Sequence, residues 1–183
     1  MTGIVVWFTG LPSSGKSRLA ERVWAQLCAE GVPCCVLDGD RVRELIQPTP
    51  GYGAQSRDDF YFTLGSLACE LSRQGLVVLV PATASQQAYR DHARGFAPAF
   101  LEVWLDAGVE ECRQRDAKGL YARFARGQVQ GLPGEDEPYE IPAAPDVCAS
   151  GYEDDAAFEK LLSRVRALRS SSGAPIVSAR RVL

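Results

Sequence analysis

The sequence predicts an α/β fold, a parallel sheet with helices on both faces. Three observations predict it. Short apolar runs alternate along the chain with stretches of helical spacing, and strand-helix-strand connections make neighbouring strands parallel. The first apolar run leads directly into Gly10-Leu11-Pro12-Ser13-Ser14-Gly15-Lys16-Ser17, which fits the phosphate-cradling pattern G-x-x-x-x-G-K-[ST], the P-loop. The polar residues that follow the other runs then fall on one edge of the sheet, the carboxyl edge, where ligands of such folds bind.

Each element has its own justification. Ile4–Thr9 is the first strand, and its apolar run is long enough to be buried on both faces. Arg18 to Glu30 reads as a helix with Leu19, Val23 and Leu27 on one face. Cys34–Asp38 is a short second strand after the break at Gly31-Val32-Pro33, and Arg41–Ile46 a short helix. Pro48-Thr49-Pro50-Gly51-Tyr52-Gly53 is a loop by composition. Arg57 to Gln74 is helical, with Phe60, Leu64, Leu67 and Leu71 on a stripe. Leu76–Pro81 is the most apolar run and the best central strand, followed by a helix from Gln86 to Gly95. Phe100–Leu105 is a strand and Val109–Asp116 a helix, with Asp106 as its N-cap. Ala156–Arg169 closes the pattern as a helix with Phe158, Leu161, Leu162, Val165 and Leu168 inward. Ser170–Gly173 reads as a flexible link and Ala174–Val177 as a last strand. Trp24 and Trp104 sit inside elements and read as core, whereas His92 lies on a polar stretch and reads as a surface or packing residue.

Lys118 to Pro145 differs in character, being rich in Gly and Pro with little periodicity. Long loops of this kind in compact domains are usually lids or binding loops. Tyr121, Phe124, Leu132 and Tyr139 supply anchors that a disordered segment lacks. The expected organisation is therefore one domain over residues 1–183, with a lid at about 117–145.

The whole chain sets bounds. A length of 183 residues, 46% apolar and 23% charged, suits one ordinary globular domain. The net charge of −3 gives no electrostatic case for a nucleic acid polymer as partner. No run reaches the roughly 18 apolar residues of a membrane span, and the amino terminus carries no leader pattern, so the expected location is cytoplasmic. Six cysteines, at 28, 34, 35, 69, 112 and 148, include no C-x-x-C pair and no histidine at zinc spacing. They read as reduced, largely packing residues.

The chemistry starts at the loop. Its backbone N–H groups and the following helix N-terminus attract phosphate. Lys16 reaches the β- and γ-phosphates of a nucleotide, and the Ser17 hydroxyl ligates Mg²⁺. Two carboxylates leave the second strand in Leu37-Asp38-Gly39-Asp40-Arg41-Val42-Arg43. Phosphoryl transfer needs a group that accepts the proton of the attacking hydroxyl, and Asp40 is the candidate. Asp38 suits the Mg²⁺ side. Arg43 and Arg57 suit the anionic groups of an acceptor.

Four segments together resemble the adenylylsulfate (APS) kinase family: Trp7-Phe8-Thr9-Gly10-Leu11 with the P-loop, Leu37-Asp38-Gly39-Asp40, Arg115-Asp116-Ala117-Lys118-Gly119-Leu120-Tyr121, and Asp136-Glu137-Pro138-Tyr139-Glu140-Ile141-Pro142. The similarity runs from about Val5 to Pro145. It implies a P-loop NTPase fold of the nucleoside-kinase kind, usually dimeric, that uses ATP and Mg²⁺ to phosphorylate the 3′-hydroxyl of APS, giving PAPS and ADP. By position it implies that Asp40 lies near that hydroxyl, that Arg43 and Arg57 hold the phosphosulfate, and that Tyr52 takes the place of a Phe stacked on the APS adenine. It further implies that Lys118, Gly119 and Leu120 belong to the closing lid and that Arg115 flanks the ATP adenine.

The chain also departs from the family pattern. Arg41 stands where the family has Asn in Gly-Asp-Asn, and Phe60 replaces the Asn of Asp-Arg-x-Glu-Asn at an acceptor-contact position. Thr83-Ala84-Ser85 replaces Ile-Ser-Pro, and Ala125, with Arg126 beside it, takes the place of the lid arginine. The donor half is intact and the acceptor half altered. APS is the expected acceptor, another modified nucleotide the competing one. A binding module without turnover and a small-metabolite kinase are further readings, which Asp40 and the lid segments respectively disfavour.

Overall fold

The first strand, β1 (Ile4–Thr9), is buried along its whole length. The computed structural model describes residues 3–170, and in it the chain continues as α1 (Lys16–Ala29), β2 (Cys34–Val36), α2 (Gly39–Leu45) and α3 (Ala54–Arg73). It then forms β3 (Val77–Pro81), α4 (Gln87–Phe96), β4 (Phe100–Leu105), α5 (Val109–Arg115), α6 (Leu120–Ala125), β5 (Val147–Ala149) and α7 (Asp155–Ser170). The strands form one sheet in the order β2-β3-β1-β4-β5, and every pairing in it is parallel. The expected α/β class is therefore present.

Strand geometry explains the layers. Successive side chains of β1 point to opposite faces. Ile4, Val6 and Phe8 join a core with Leu19, Val23 and Leu27 of α1 and Leu161, Leu162 and Val165 of α7. Val5 and Trp7 join the other core, with Phe60, Leu64 and Ala68 of α3 and Tyr89 and Ala93 of α4. Both faces are thus covered, as a parallel sheet requires. The best central strand is β1 rather than the more apolar Leu76–Pro81 run, which lies beside it as β3.

Several sequence expectations change. Trp24 is 42% exposed, because it falls on the solvent side of α1, and Trp104 is half-buried. Asp106 is exposed and does not cap α5; Gly108 occupies the N-cap position. Helix α7 runs through Ser170, whose hydroxyl donates to the Arg166 carbonyl at 2.9 Å. The expected strand at Ala174–Val177 lies outside the described residues. The 118–145 segment contains α6, six residues long and too short for periodicity to register. The Asp116 carboxylate accepts from the N–H groups of Tyr121 and Ala122 and so starts that helix. Strand β5 was not expected at all. Three residues carry little signal, and Asp146 fixes it by accepting from the Glu102 N–H at 2.9 Å.

One buried ion network joins the sheet to α4. Arg90 Nε donates to Glu102 Oε1 of β4 at 2.7 Å, and Arg94 Nη2 donates to Glu102 Oε2 at 2.7 Å. Arg90 and Glu102 are both essentially inaccessible. Arg90 also donates to the carbonyls of Ala84 and Glu140 and to the Gln87 side chain. Removing one partner of a buried pair leaves an uncompensated charge. Arg90→Ala is therefore expected to destabilise the fold by roughly 3–5 kcal/mol, read from the urea unfolding midpoint at unchanged m-value.

Candidate functional site

The P-loop turns between β1 and α1 because its glycines adopt backbone that other residues resist. Gly10 has φ 148°, and a Cβ there would stand 2.8 Å from the Leu105 carbonyl oxygen. Gly15 has φ 100°, and a Cβ there would meet the Tyr152 ring at 3.0 Å. Lys16 opens α1 and folds back on the loop, its Nζ donating to the carbonyls of Gly10 at 3.0 Å and Leu11 at 2.7 Å. Burial is the main cause that depresses its pKa, to about 8, with the Asp40 carboxylate pulling the other way. Leu11, Pro12, Ser13 and Ser14 complete the loop. The Ser14 hydroxyl is buried without a hydrogen-bond partner.

Asp38 and Asp40 meet this loop from the end of β2. The Ser17 hydroxyl donates to Asp38 Oδ2 at 2.5 Å, so the two residues expected on the metal side are in contact. The other Asp38 oxygen accepts from the N–H groups of Asp40 and Arg41 and caps α2. An oxygen pair of this kind suits Mg²⁺, which prefers hard ligands and keeps several waters beside bound phosphates. The described residues contain no cluster of three or more His, Cys, Asp or Glu able to hold a metal by itself. Asp40 carries an ion pair to Lys118, at the start of the 118–145 segment. Burial works against the Lys118 charge, but the Asp40 hydrogen bond and charge more than offset it, and its pKa is raised. Gly119 and Leu120 follow directly and begin α6, with Gly119 at φ 63°.

The residues expected on the acceptor side lie on α2, α3 and the loop between them. Tyr52 is 64% exposed. The Arg43 guanidinium lies 4.7 Å from the Tyr52 ring centroid and 3.8 Å from that of Phe60. Arg43 Nη1 donates to the carbonyls of Pro50 and Gly51. Phe60, 3% exposed, is buried beneath that arginine, so sequence alone overstated its access to a ligand. Arg57 is bound by Glu137 of the 118–145 segment at 2.5 Å. Ala84, which replaces the family serine, is buried with φ 43°, and the neighbouring Ser85 hydroxyl is buried without a partner.

Sequence reasoning named Tyr121, Phe124, Leu132 and Tyr139 as anchors of the 118–145 segment but missed their partners and the contacts of Glu140. The Thr9 hydroxyl, at the end of β1, donates to the Thr83 carbonyl at 2.6 Å and lies 3.0 Å from the Tyr139 hydroxyl. The Glu140 carboxylate accepts from the Gln87 N–H at the start of α4, and its carbonyl accepts from Arg90. The Tyr121 hydroxyl donates to the Pro12 carbonyl at 3.1 Å. Tyr121 and Leu132 form a small core with Ala107 and Cys112, against which Leu11 and Phe124 pack. A threonine ending a strand and an arginine inside a helix carry no local signal for such contacts.

On the other side of the P-loop, Arg115 Nη1 donates to the Ser14 carbonyl at 3.2 Å. Arg115 lines a cavity of about 310 Å³ with Ser150, Gly151, Tyr152 and Asp154. The Arg18 guanidinium stacks on the Tyr152 ring at 3.9 Å. The post-β5 loop went unnoticed in the sequence because β5 did. Among the described residues no helix is long and apolar enough to cross a membrane.

Comparisons with known proteins agree with this geometry. A sequence model of the family described as adenylylsulphate kinase matches residues 2–150. The adenylyl-sulfate kinase of Synechococcus sp. (strain JA-2-3B'a(2-13)) is 39% identical over 168 residues, 88% of this chain and 96% of that protein. That of Synechococcus sp. (strain JA-3-3Ab) is 42% identical over 151 residues, 82% and 86% of the respective chains. Among solved structures, the Mycobacterium tuberculosis APS kinase CysC in complex with AMPPNP and APS superposes with a TM-score of 0.79 at 34% identity. That match covers 92% of this chain and 98% of the other.

The depressed Lys16 pKa sets a pH dependence. The ammonium favours anionic phosphate, so bound nucleotide raises this pKa and binding takes up a proton wherever free Lys16 is neutral. Above the titration of the nucleotide's own terminal phosphate at about pH 6–7, affinity for ATP is expected to be flat up to about pH 8. It should fall as pH rises above about 8, approaching 10-fold per pH unit. Calorimetric titration in buffers of different ionisation enthalpy measures both the affinity and the proton uptake. Lys16→Met should abolish the slope.

Proposed function

The chain belongs to the adenylylsulfate kinase family, and on that premise we propose that it transfers the γ-phosphoryl group of ATP to the 3′-hydroxyl of APS, giving PAPS and ADP. One observation carries the residue assignment. The lid lysine, Lys118, pairs with Asp40, two residues from the Asp38 carboxylate that holds Ser17 of the P-loop. Donor loop, acceptor-side carboxylate and lid therefore meet at one place.

In this reading the loop amides and Lys16 hold the β- and γ-phosphates and neutralise charge that develops on them. Lys16 must leave the Gly10 and Leu11 carbonyls to do so, an exchange of neutral acceptors for an anion. Ser17 and Asp38 would hold Mg²⁺, whose chemistry is to draw charge from the phosphate oxygens. Asp40 accepts the proton of the 3′-hydroxyl. Lys118 holds the Asp40 carboxylate in place until that hydroxyl arrives. Arg43 and Arg57 face the acceptor anion, and Tyr52 offers an exposed ring for its base. Arg115 and Tyr152 frame the ATP base. The segment at about 117–145 acts as the lid of a single domain.

The acceptor-side departures at Arg41, Phe60, Ala84 and Ala125 make the acceptor the quantity to measure. ADP release with Mg²⁺-ATP is expected to be fastest with APS in a panel that includes ADP-, CDP- and GDP-type acceptors. Faster turnover of another member would transfer the proposal to that nucleotide. Silence across the panel with ATP still bound would leave a binding module. A homodimer belongs to the same reading and is supported by the exposed Phe62 and Phe96, both in ring contact with His92; sedimentation velocity checks it.

Asp40→Asn keeps the shape and removes the base. It is expected to lower kcat by roughly 100-fold or more while the dissociation constant of ATP stays within a few-fold. A loss confined to ATP binding would move the base to another residue.

A further inference from the structure

Arg57 is a cation placed for an anion, yet it already holds a carboxylate and two carbonyls. Its side chain is 7% exposed, and Nη1 lies 2.5 Å from Glu137 Oε1. Nη2 donates to the carbonyls of Tyr52 at 3.2 Å and Gly131 at 2.9 Å. Each terminal nitrogen therefore already has a partner from the chain. Arg43 differs: its guanidinium is held by the carbonyls of Pro50 and Gly51 and by two aromatic rings, with no carboxylate among its bonds.

We propose that Glu137 is a built-in stand-in for the acceptor's anion. It neutralises Arg57 when the site is empty and must be displaced by the acceptor's anionic group, which makes Glu137 a specificity-determining residue. The inference rests on the APS-type reading of the acceptor. The physical case begins with desolvation. A guanidinium this buried cannot stay unpaired without a large penalty. A carboxylate satisfies it in the same way as a phosphate or sulfate oxygen pair does. The exchange then removes from binding most of the gain that a bare Arg57 would give. It leaves little for a neutral acceptor, which cannot compete with a carboxylate at 2.5 Å.

The turn that carries Glu137 is built for such an exchange. The Asp136 carboxylate accepts from the N–H groups of Gly131 at 2.9 Å and Leu132 at 2.7 Å. The Glu137 carbonyl accepts from the Gly134 N–H at 2.9 Å, and the Glu137 N–H donates to the Leu132 carbonyl at 3.3 Å. These backbone bonds do not involve the Glu137 carboxylate. The side chain, 27% exposed, can swing into solvent while the 131–137 turn keeps its shape. Displacement therefore needs a rotamer change and not an opened lid.

Two measurements test this, one without turnover. Inorganic sulfate is titrated by calorimetry into the ADP-saturated protein, so that the P-loop is already filled. Glu137→Gln and Glu137→Ser are each expected to bind sulfate about 10-fold more tightly than the parent chain. The double variant Arg57→Ala/Glu137→Gln should lose that gain. Equal sulfate affinity in the parent and both Glu137 variants overturns the stand-in role. In steady-state assays the ratio of KM for APS to KM for ATP should fall by a similar factor in Glu137→Gln. An unchanged or higher ratio, as a purely structural role for Glu137 would give, also overturns it. A parent chain that binds sulfate as described but never turns over APS would sink the APS reading and leave the stand-in intact.

Discussion

Everything functional in this molecule hangs from the burial of β1. Its six residues are inaccessible and paired on both sides, by β3 and by β4. A strand so placed satisfies its own backbone groups only by staying in register with both neighbours. The chain can leave it only at the carboxyl edge, and there it meets the Leu105 carbonyl at the end of β4. That crowding is what demands glycine at position 10. The P-loop is thus a consequence of where β1 sits as much as of its own residues. The same edge gathers Asp38 after β2, Ala84 and Ser85 after β3, and Tyr152 after β5.

The 118–145 segment is fixed to this edge by polar contacts at one end and apolar contacts at the other. Near its start, Tyr121 and Leu132 pack with Ala107 and Cys112, and the Tyr121 hydroxyl reaches the P-loop itself. Burial pushes the Tyr121 and Tyr139 pKa values up, so both hydroxyls remain neutral donors or acceptors at neutral pH. Near its end, Arg90 ties the Glu140 carbonyl to the Ala84 carbonyl and to Glu102. One inaccessible arginine therefore links the 118–145 segment, the loop after β3 and the sheet. Such a network is stable only when every member is satisfied.

Charge is arranged as a set of internal substitutes. Lys16 donates to loop carbonyls, Arg57 binds Glu137, and Asp40 binds Lys118. Each of these groups has a substrate-directed role in the proposed reaction, and each is held by a partner from the chain itself. The arrangement preorganises the site and leaves each of these groups hydrogen-bonded. Binding then exchanges partners, so the net gain from each contact is smaller than its geometry suggests.

The sequence by itself determined the fold class, the P-loop, the pairing of Ser17 with an acid after the second strand, and the family. Those features are written in short windows: continuous apolar runs, glycines at fixed spacing, and segments such as Lys118-Gly119-Leu120-Tyr121. It also marked Tyr121, Phe124, Leu132 and Tyr139 as anchors, and all four are packed or bonded. Tertiary structure alone decided which strand is central, because strand order depends on crossovers and not on apolarity. It alone revealed β5, whose three residues are stabilised by β4 and Asp146. It alone placed Trp24 outside, and joined Arg57 to Glu137 and Arg90 to Glu140. These pairs lie 80 and 50 positions apart, and a contact at that separation is set by the packing of the whole domain.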